Sequence, residues 1–115
     1  MHTIPMKNSL VLSLHAHSRL KTRLGLKTKK KRNSFVQSAS THALCSIPEG
    51  KEWIDFKNYF RSVKHRIKSK NPYCDPYLYK DYILVVSDNH VVVTIYAIDP
   101  IYNGSYNKIR NAKNN

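Results

Sequence analysis

Apolar positions recur at two different spacings along this chain of 115 residues, and the change of spacing divides it. In the first half they fall three and four apart. Ala16, Leu20 and Leu24 make one such row. Ser13 is placed to cap the helix they imply, with Leu12 before it and Gly25 as a stop after the last turn. A second helix is expected from near Thr28, turning Phe35, Val36 and Ala39 inward. The clearest period runs from Glu49 to Ser69, where Trp53, Phe56, Phe60, Val63 and Ile67 mark one side of an amphipathic helix. Pro48 fits just before or inside its first turn, and Pro72 forces its end at Asn71.

From Tyr77 the pattern becomes that of strands. Tyr82 to Val86 and Val91 to Ile98 read as a β-hairpin turned at Ser87-Asp88-Asn89-His90. Both strands are almost continuous in β-branched residues, which predicts central strands covered on at least one face. Leu78-Tyr79 adds a short edge strand. The fold class this predicts is α+β, with about three N-terminal helices packed on a small antiparallel sheet. Residues 1–12 are expected to be a flexible start and 13–102 a single domain. Residues 103–115 read as a disordered basic and polar tail, too polar to bury anything.

Composition narrows the partners. Lys and Arg total 20 against 7 Asp and Glu, a formal charge of +13 that must repel itself or meet an anionic surface. Nucleic acid comes first, because eight Tyr, three Phe and one Trp accompany the charge and can stack bases. No apolar run approaches the roughly 20 residues that span a bilayer, so no transmembrane anchor is expected, and no membrane-surface role either, because the aromatic helix uses its apolar face as a regular core seam. The short run Leu10 to Leu14 is followed by His and Arg rather than by a small-residue cleavage site, which argues against secretion and for a cytoplasmic setting. Cys45 and Cys74 stand far apart without Cys or His at ligand spacing, so they read as ordinary thiols and not as a zinc site. The acids Glu49, Glu52, Asp55, Asp75, Asp81, Asp88 and Asp99 are scattered, which disfavours a metal nuclease, and three glycines build no phosphate loop. No metal or other cofactor is expected.

Two kinds of basic feature remain. Lys29, Lys30, Lys31 and Arg32 sit in the first turn of the second expected helix, where cations oppose the macrodipole by some tenths of a kcal/mol each. The cluster is therefore a solvated face or a phosphate-contacting patch, not a device for local stability. Lys57, Arg61, Lys64, Arg66 and Lys68 line the polar side of the aromatic helix in the same way. On the first helix His15, Arg19 and Arg23 recur every four residues, forming a row at the boundary of the apolar stripe. Long Arg stems covering core surface explain that row as well as a site does. His17 points away from it, and His2, His42 and His65 have no partner legible in the sequence.

The stretch from Leu12 to Leu26, with Tyr79 to Val86 and Val91 to Tyr96, resembles small phage and prophage proteins of Gram-positive bacteria. These carry a His-Ala-x-x-Arg-x-x-x-Arg-Leu-Gly-Leu helix and a closing (Ile/Val)-Thr-Val strand, and look like distant relatives of the RelE and barnase-like ribonuclease fold. The matching pieces cover about a third of the chain, and the aromatic helix is longer than that pattern has. The resemblance implies a helical N-terminal part on a small antiparallel sheet, with a site between the first helix and the last strands. His15, Arg19, Arg23 and Thr94 are the matching positions.

Metal-free RNA cleavage suits these residue types, since it needs a base, an acid and cations on the developing phosphorane. His15 or His90 would move protons, and Arg19 and Arg23 would hold the phosphate. Asp88-Asn89-His90 is equally ordinary turn chemistry. The expectation is a small basic protein of phage type that binds nucleic acid, RNA before DNA, with ribonuclease activity an option. The alternative is a phage interaction factor whose basic surface meets an acidic host or defence protein without catalysis; were the chain a toxin, an antitoxin protein would be its expected partner.

Overall fold

In the computed structural model, which describes residues 10–113, Ser13 caps the first helix as its position suggests, its hydroxyl accepting from the Ala16 amide at 3.0 Å. The elements run β1 (Val11–Leu12), α1 (Leu14–Arg23), α2 (Lys29–His42), a 3-10 turn (Lys51–Trp53), α3 (Ile54–Lys70), β2 (Cys74–Tyr79), β3 (Tyr82–Ser87), β4 (Val91–Ala97), a second 3-10 turn (Pro100–Tyr102) and α4 (Ser105–Lys113). This is an α+β fold. Thr28 caps α2 through its hydroxyl, 3.2 Å from the Lys31 amide. Pro48 and Gly50, the latter with a φ of 136°, delay the aromatic helix, so it begins later than Glu49.

The sheet has the order β1-β4-β3-β2. The predicted hairpin is present as β3 and β4, and β2 adds to it antiparallel from Cys74 paired with Ser87 to Tyr79 paired with Tyr82. Two corrections concern this sheet. The edge strand is longer than Leu78-Tyr79; Pro76 breaks its pattern, yet an edge strand tolerates a missing amide donor. The sheet is also mixed rather than antiparallel, because β1 pairs parallel to β4, Val11 with Val91 and Leu12 with Val92. Beyond β2, Leu44 and Leu78 exchange amide-to-carbonyl bonds of 2.8 and 2.7 Å, which covers that edge.

Cross-strand partners share a face, so Cys74, Pro76, Leu78, Ile83, Val85, Thr94 and Tyr96 line one side, and Tyr79, Leu84, Val86, Val92 and Ile95 the other. α3 lies over the first side and buries Phe56, Phe60 and Val63, with Trp53 and Ile67 half-buried at its ends. α1 and α2 cover the second. Ala16, Leu20, Val36 and Ala39 are buried there, α1 lies against β4, and the Phe35 ring meets Tyr79 edge-on at 5.1 Å.

Both ends of the expected domain are corrected. Leu10 is buried with its amide on the Ser40 hydroxyl at 3.0 Å, and Val11–Leu12 is a strand, so the flexible start does not extend to residue 12. Residues 1–9 lie outside the described residues. The expected tail from residue 103 is helical to Lys113, making a fourth α-helix; Tyr106 and Ile109 are buried, and the Tyr106 hydroxyl donates to the His42 carbonyl at 2.9 Å. Two apolar side chains three apart suffice because Tyr79 offers a packed partner, its ring 5.6 Å from that of Tyr106. Asn114 and Asn115 lie outside the described residues.

Candidate nucleic-acid interface

The four-residue spacing of α1 brings His15 and Arg19 into contact. Arg19 Nε donates to His15 Nε2 at 3.1 Å, which places the proton of a neutral ring on Nδ1. As arranged, His15 offers solvent a hydrogen donor, and its acceptor nitrogen is occupied. His15 and Arg23 are exposed and Arg19 is half-buried. His90 is elsewhere, at the hairpin turn, with a φ of 63°; its amide donates to Ser87 and its carbonyl accepts from Val11, both at 3.0 Å. Its backbone duties account for its position. Thr94 pairs with Val85 and lines a cleft under α3 to which α1 contributes nothing. The four positions of the resemblance, and His90 with them, thus do not converge: His15 and Arg19 form a pair, and Thr94 belongs to another cavity.

His17 and His42 do have partners. Arg32 Nε donates to His17 Nδ1 at 2.9 Å, and Arg32 Nη1 reaches the carbonyls of Leu26 and Lys27 at 2.9 and 3.0 Å. Burial, then the charges of Arg32 and Lys29, hold the His17 imidazole below its ordinary range. Arg32 is a strut of the α1–α2 connection, so the basic run contributes three outward cations, not four. Arg110 Nη1 lies 3.1 Å from His42 Nδ1, joining α4 to α2. His65 borders a shallow cleft with Arg61, Ser62 and Arg66. His2 lies outside the described residues.

Lys29, Lys30 and Lys31 are exposed, and the last two border a cleft of about 620 Å³ with Phe35, Ser38, Tyr79 and Lys80. Lys80 holds a left-handed φ of 54° in the tight turn between β2 and β3, and its ammonium lies 5.4 Å from the centre of the Tyr79 ring. Sequence reasoning passed over Lys80; a cation in the turn joining two strands, across from a basic helix start, was the available signal.

On α3, Lys57 is paired with Glu49, whose carboxyl is held low by that ammonium, and Lys68 bonds Asp75 at 3.0 Å. These are the only ion pairs among the described residues. Arg61, Lys64 and Arg66 remain exposed, joined by Lys70 in the last turn. Lys70 borders the cleft that holds Thr94, about 340 Å³, with Arg66 and Tyr96. Burial pushes the Tyr96 hydroxyl up, opposed by the nearby Arg66 charge.

Among the described residues no three His, Cys, Asp or Glu side chains gather as a metal site, and no helix is long and apolar enough to cross a membrane. Both cysteines are thiols, Cys74 buried, and burial raises its pKa. Comparison of the chain with protein-family models, with curated proteins and with solved structures finds no match.

Proposed function

We propose that this protein binds nucleic acid, RNA ahead of DNA, by laying phosphates along the exposed cations of α3 and of the α2 start. The observation that carries this reading is the imbalance of pairing. Against a formal charge of +13, the described residues form two ion pairs, and Arg61, Lys64, Arg66 and Lys70 on one helix stand outside both. Exposed cations held on a rigid helix outside any internal ion pair favour a polyanion, because contact releases the counterions condensed on it.

Fluorescence anisotropy of the full chain with labelled RNA, at rising salt, tests the reading. Affinity falls linearly in log Kd against log salt, and Arg61→Gln with Lys64→Gln flattens that slope by roughly one to two units, as loss of two phosphate contacts requires. Salt-independent retention would overturn it. So would saturable capture of an acidic protein that survives nuclease treatment, with no retention of RNA.

A ribonuclease reading has one observation in its favour, the contact between His15 and Arg19. It requires Arg19 to release Nε2 on meeting phosphate, after which the ring can take a proton. In EDTA, His15→Ala then abolishes RNA cleavage while retention persists; cleavage that is unchanged removes His15 from the chemistry.

A further inference from the structure

Along a regular strand successive side chains point to opposite faces, yet Val93 and Thr94 both line the cleft beneath the end of α3. A bulge is the cause. Val85 pairs with Thr94 and Val86 with Val92, so Val93 is an extra residue turned to the same side as its neighbour. The bulge is braced from the cap of α1, where the Ser13 hydroxyl donates to the Val93 carbonyl at 2.9 Å. Bulges of this kind re-aim side chains and are frequent beside functional sites.

What they aim at here has a definite chemistry. Val85 and Val93 from the sheet and Ile67 from α3 give it an apolar lining, the half-buried Tyr96 adds an aromatic side chain, and Thr94 and Asn71 add polar ones. Arg66 and Lys70 stand at the rim without a carboxylate partner. At about 340 Å³ the cleft is within the size of small-molecule sites, which begin near 300 Å³. A nucleobase is flat and apolar on its faces, polar around its edge, and linked to phosphate one sugar away. In a duplex its faces are stacked and its edge is paired, so only an unpaired base can enter.

We infer that this cleft receives one unpaired base of a single strand, its face against Val85, Val93 and Tyr96 and its phosphate on Arg66 and Lys70. The inference rests on the nucleic-acid reading above and adds a preference for unpaired strand, with the residues that impose it.

The test compares a short labelled oligouridine with an RNA duplex of equal length, by anisotropy with the full chain at fixed salt. Val93→Phe fills the cleft without altering charge. It weakens single-strand binding about tenfold, the scale of one lost base-stacking contact, and leaves duplex binding within about twofold. Tyr96→Leu keeps the apolar wall and removes the ring, with a loss of about threefold or more on the single strand alone. Circular dichroism reports whether each variant folds, and either one that does decides the matter. Equal losses on both strand types, or no loss on either, would overturn the base pocket and leave the phosphate reading standing. Wild-type protein that retains neither strand would overturn both.

Discussion

Arg32, on α2, ties together three acceptors, one on α1 and two in the loop between the helices, and what it does there sets how a single substitution is felt. Arg32→Met strands the His17 nitrogen and the Leu26 and Lys27 carbonyls together. Urea unfolding should show a loss of about 2 kcal/mol, the scale of partly buried groups left without partners. Burial, and then the charges of Arg32 and Lys29, make His17 a pH-sensitive point. Its folded pKa lies below 6.5, so between the folded value and 6.5 the unfolded chain binds the extra proton and stability rises with pH. Stability is therefore complete above about 6.5 and falls as acid is added through that window. His17→Gln keeps an acceptor without a titrating ring. Its melting temperature should fall less than that of the parent between neutral pH and the acid side of the window; identical acid sensitivity would remove His17 as the cause.

Elements differ in how much of their existence is local, and α4 is the sharpest case. Ile109 is buried at 2 % exposure, whereas Ile101, eight positions earlier, is 77 % exposed. Ile109→Ala should cost roughly 2–4 kcal/mol in urea unfolding and Ile101→Ala less than about 0.5. Equal effects would mean that α4 does not dock. Nothing local separates the two isoleucines, since the contact that fixes α4 reaches from Tyr106 to His42, 64 residues back. α3 was legible because five large apolar residues hold one period without help from elsewhere. The hairpin was legible because β-branched runs flank a polar turn. β1 was not, since two residues become a strand only when β4 is beside them, and neither was the bulge, which exists in the pairing register alone. Of the candidate residues, the spacing of His15 and Arg19 could be read along one helix. The partnership of His17 with Arg32 and the seat of Thr94 under α3 depend on how separate elements meet.

For the whole molecule the excess of positive charge acts twice, and with opposite signs. Self-repulsion opposes the compact state, so added salt, which screens it, raises the melting temperature. The same salt weakens contact with a polyanion. Thermal scans across salt concentration, run beside the anisotropy titration, should therefore move in opposite directions. Short RNA added at low salt should also raise the melting temperature, because it binds the folded surface in preference to the dispersed charges of the unfolded chain. A melting temperature insensitive to both would mean that the cations are balanced in some other way. Charge was the most legible property of the chain, but which cations keep it was not, because Glu49 and Asp75 neutralise Lys57 and Lys68 only once the fold brings each pair together.

The parallel strand β1 also carries a consequence for how the chain is made. Ser13 and Val93 are 80 residues apart, and the bonds that seat β1 on β4 form only after the later one has been synthesised. During translation the segment from Leu10 to Ser13 has no sheet to join until β4 is made, and the hairpin of β3 and β4 has one flank bare until that segment docks. That flank is a run of β-branched residues with open amides and carbonyls, the form in which strands recruit strands from other chains. Until β1 docks, that flank is open to strands of other chains, and the bond from the Ser13 hydroxyl to the Val93 carbonyl helps to hold the docked segment in place.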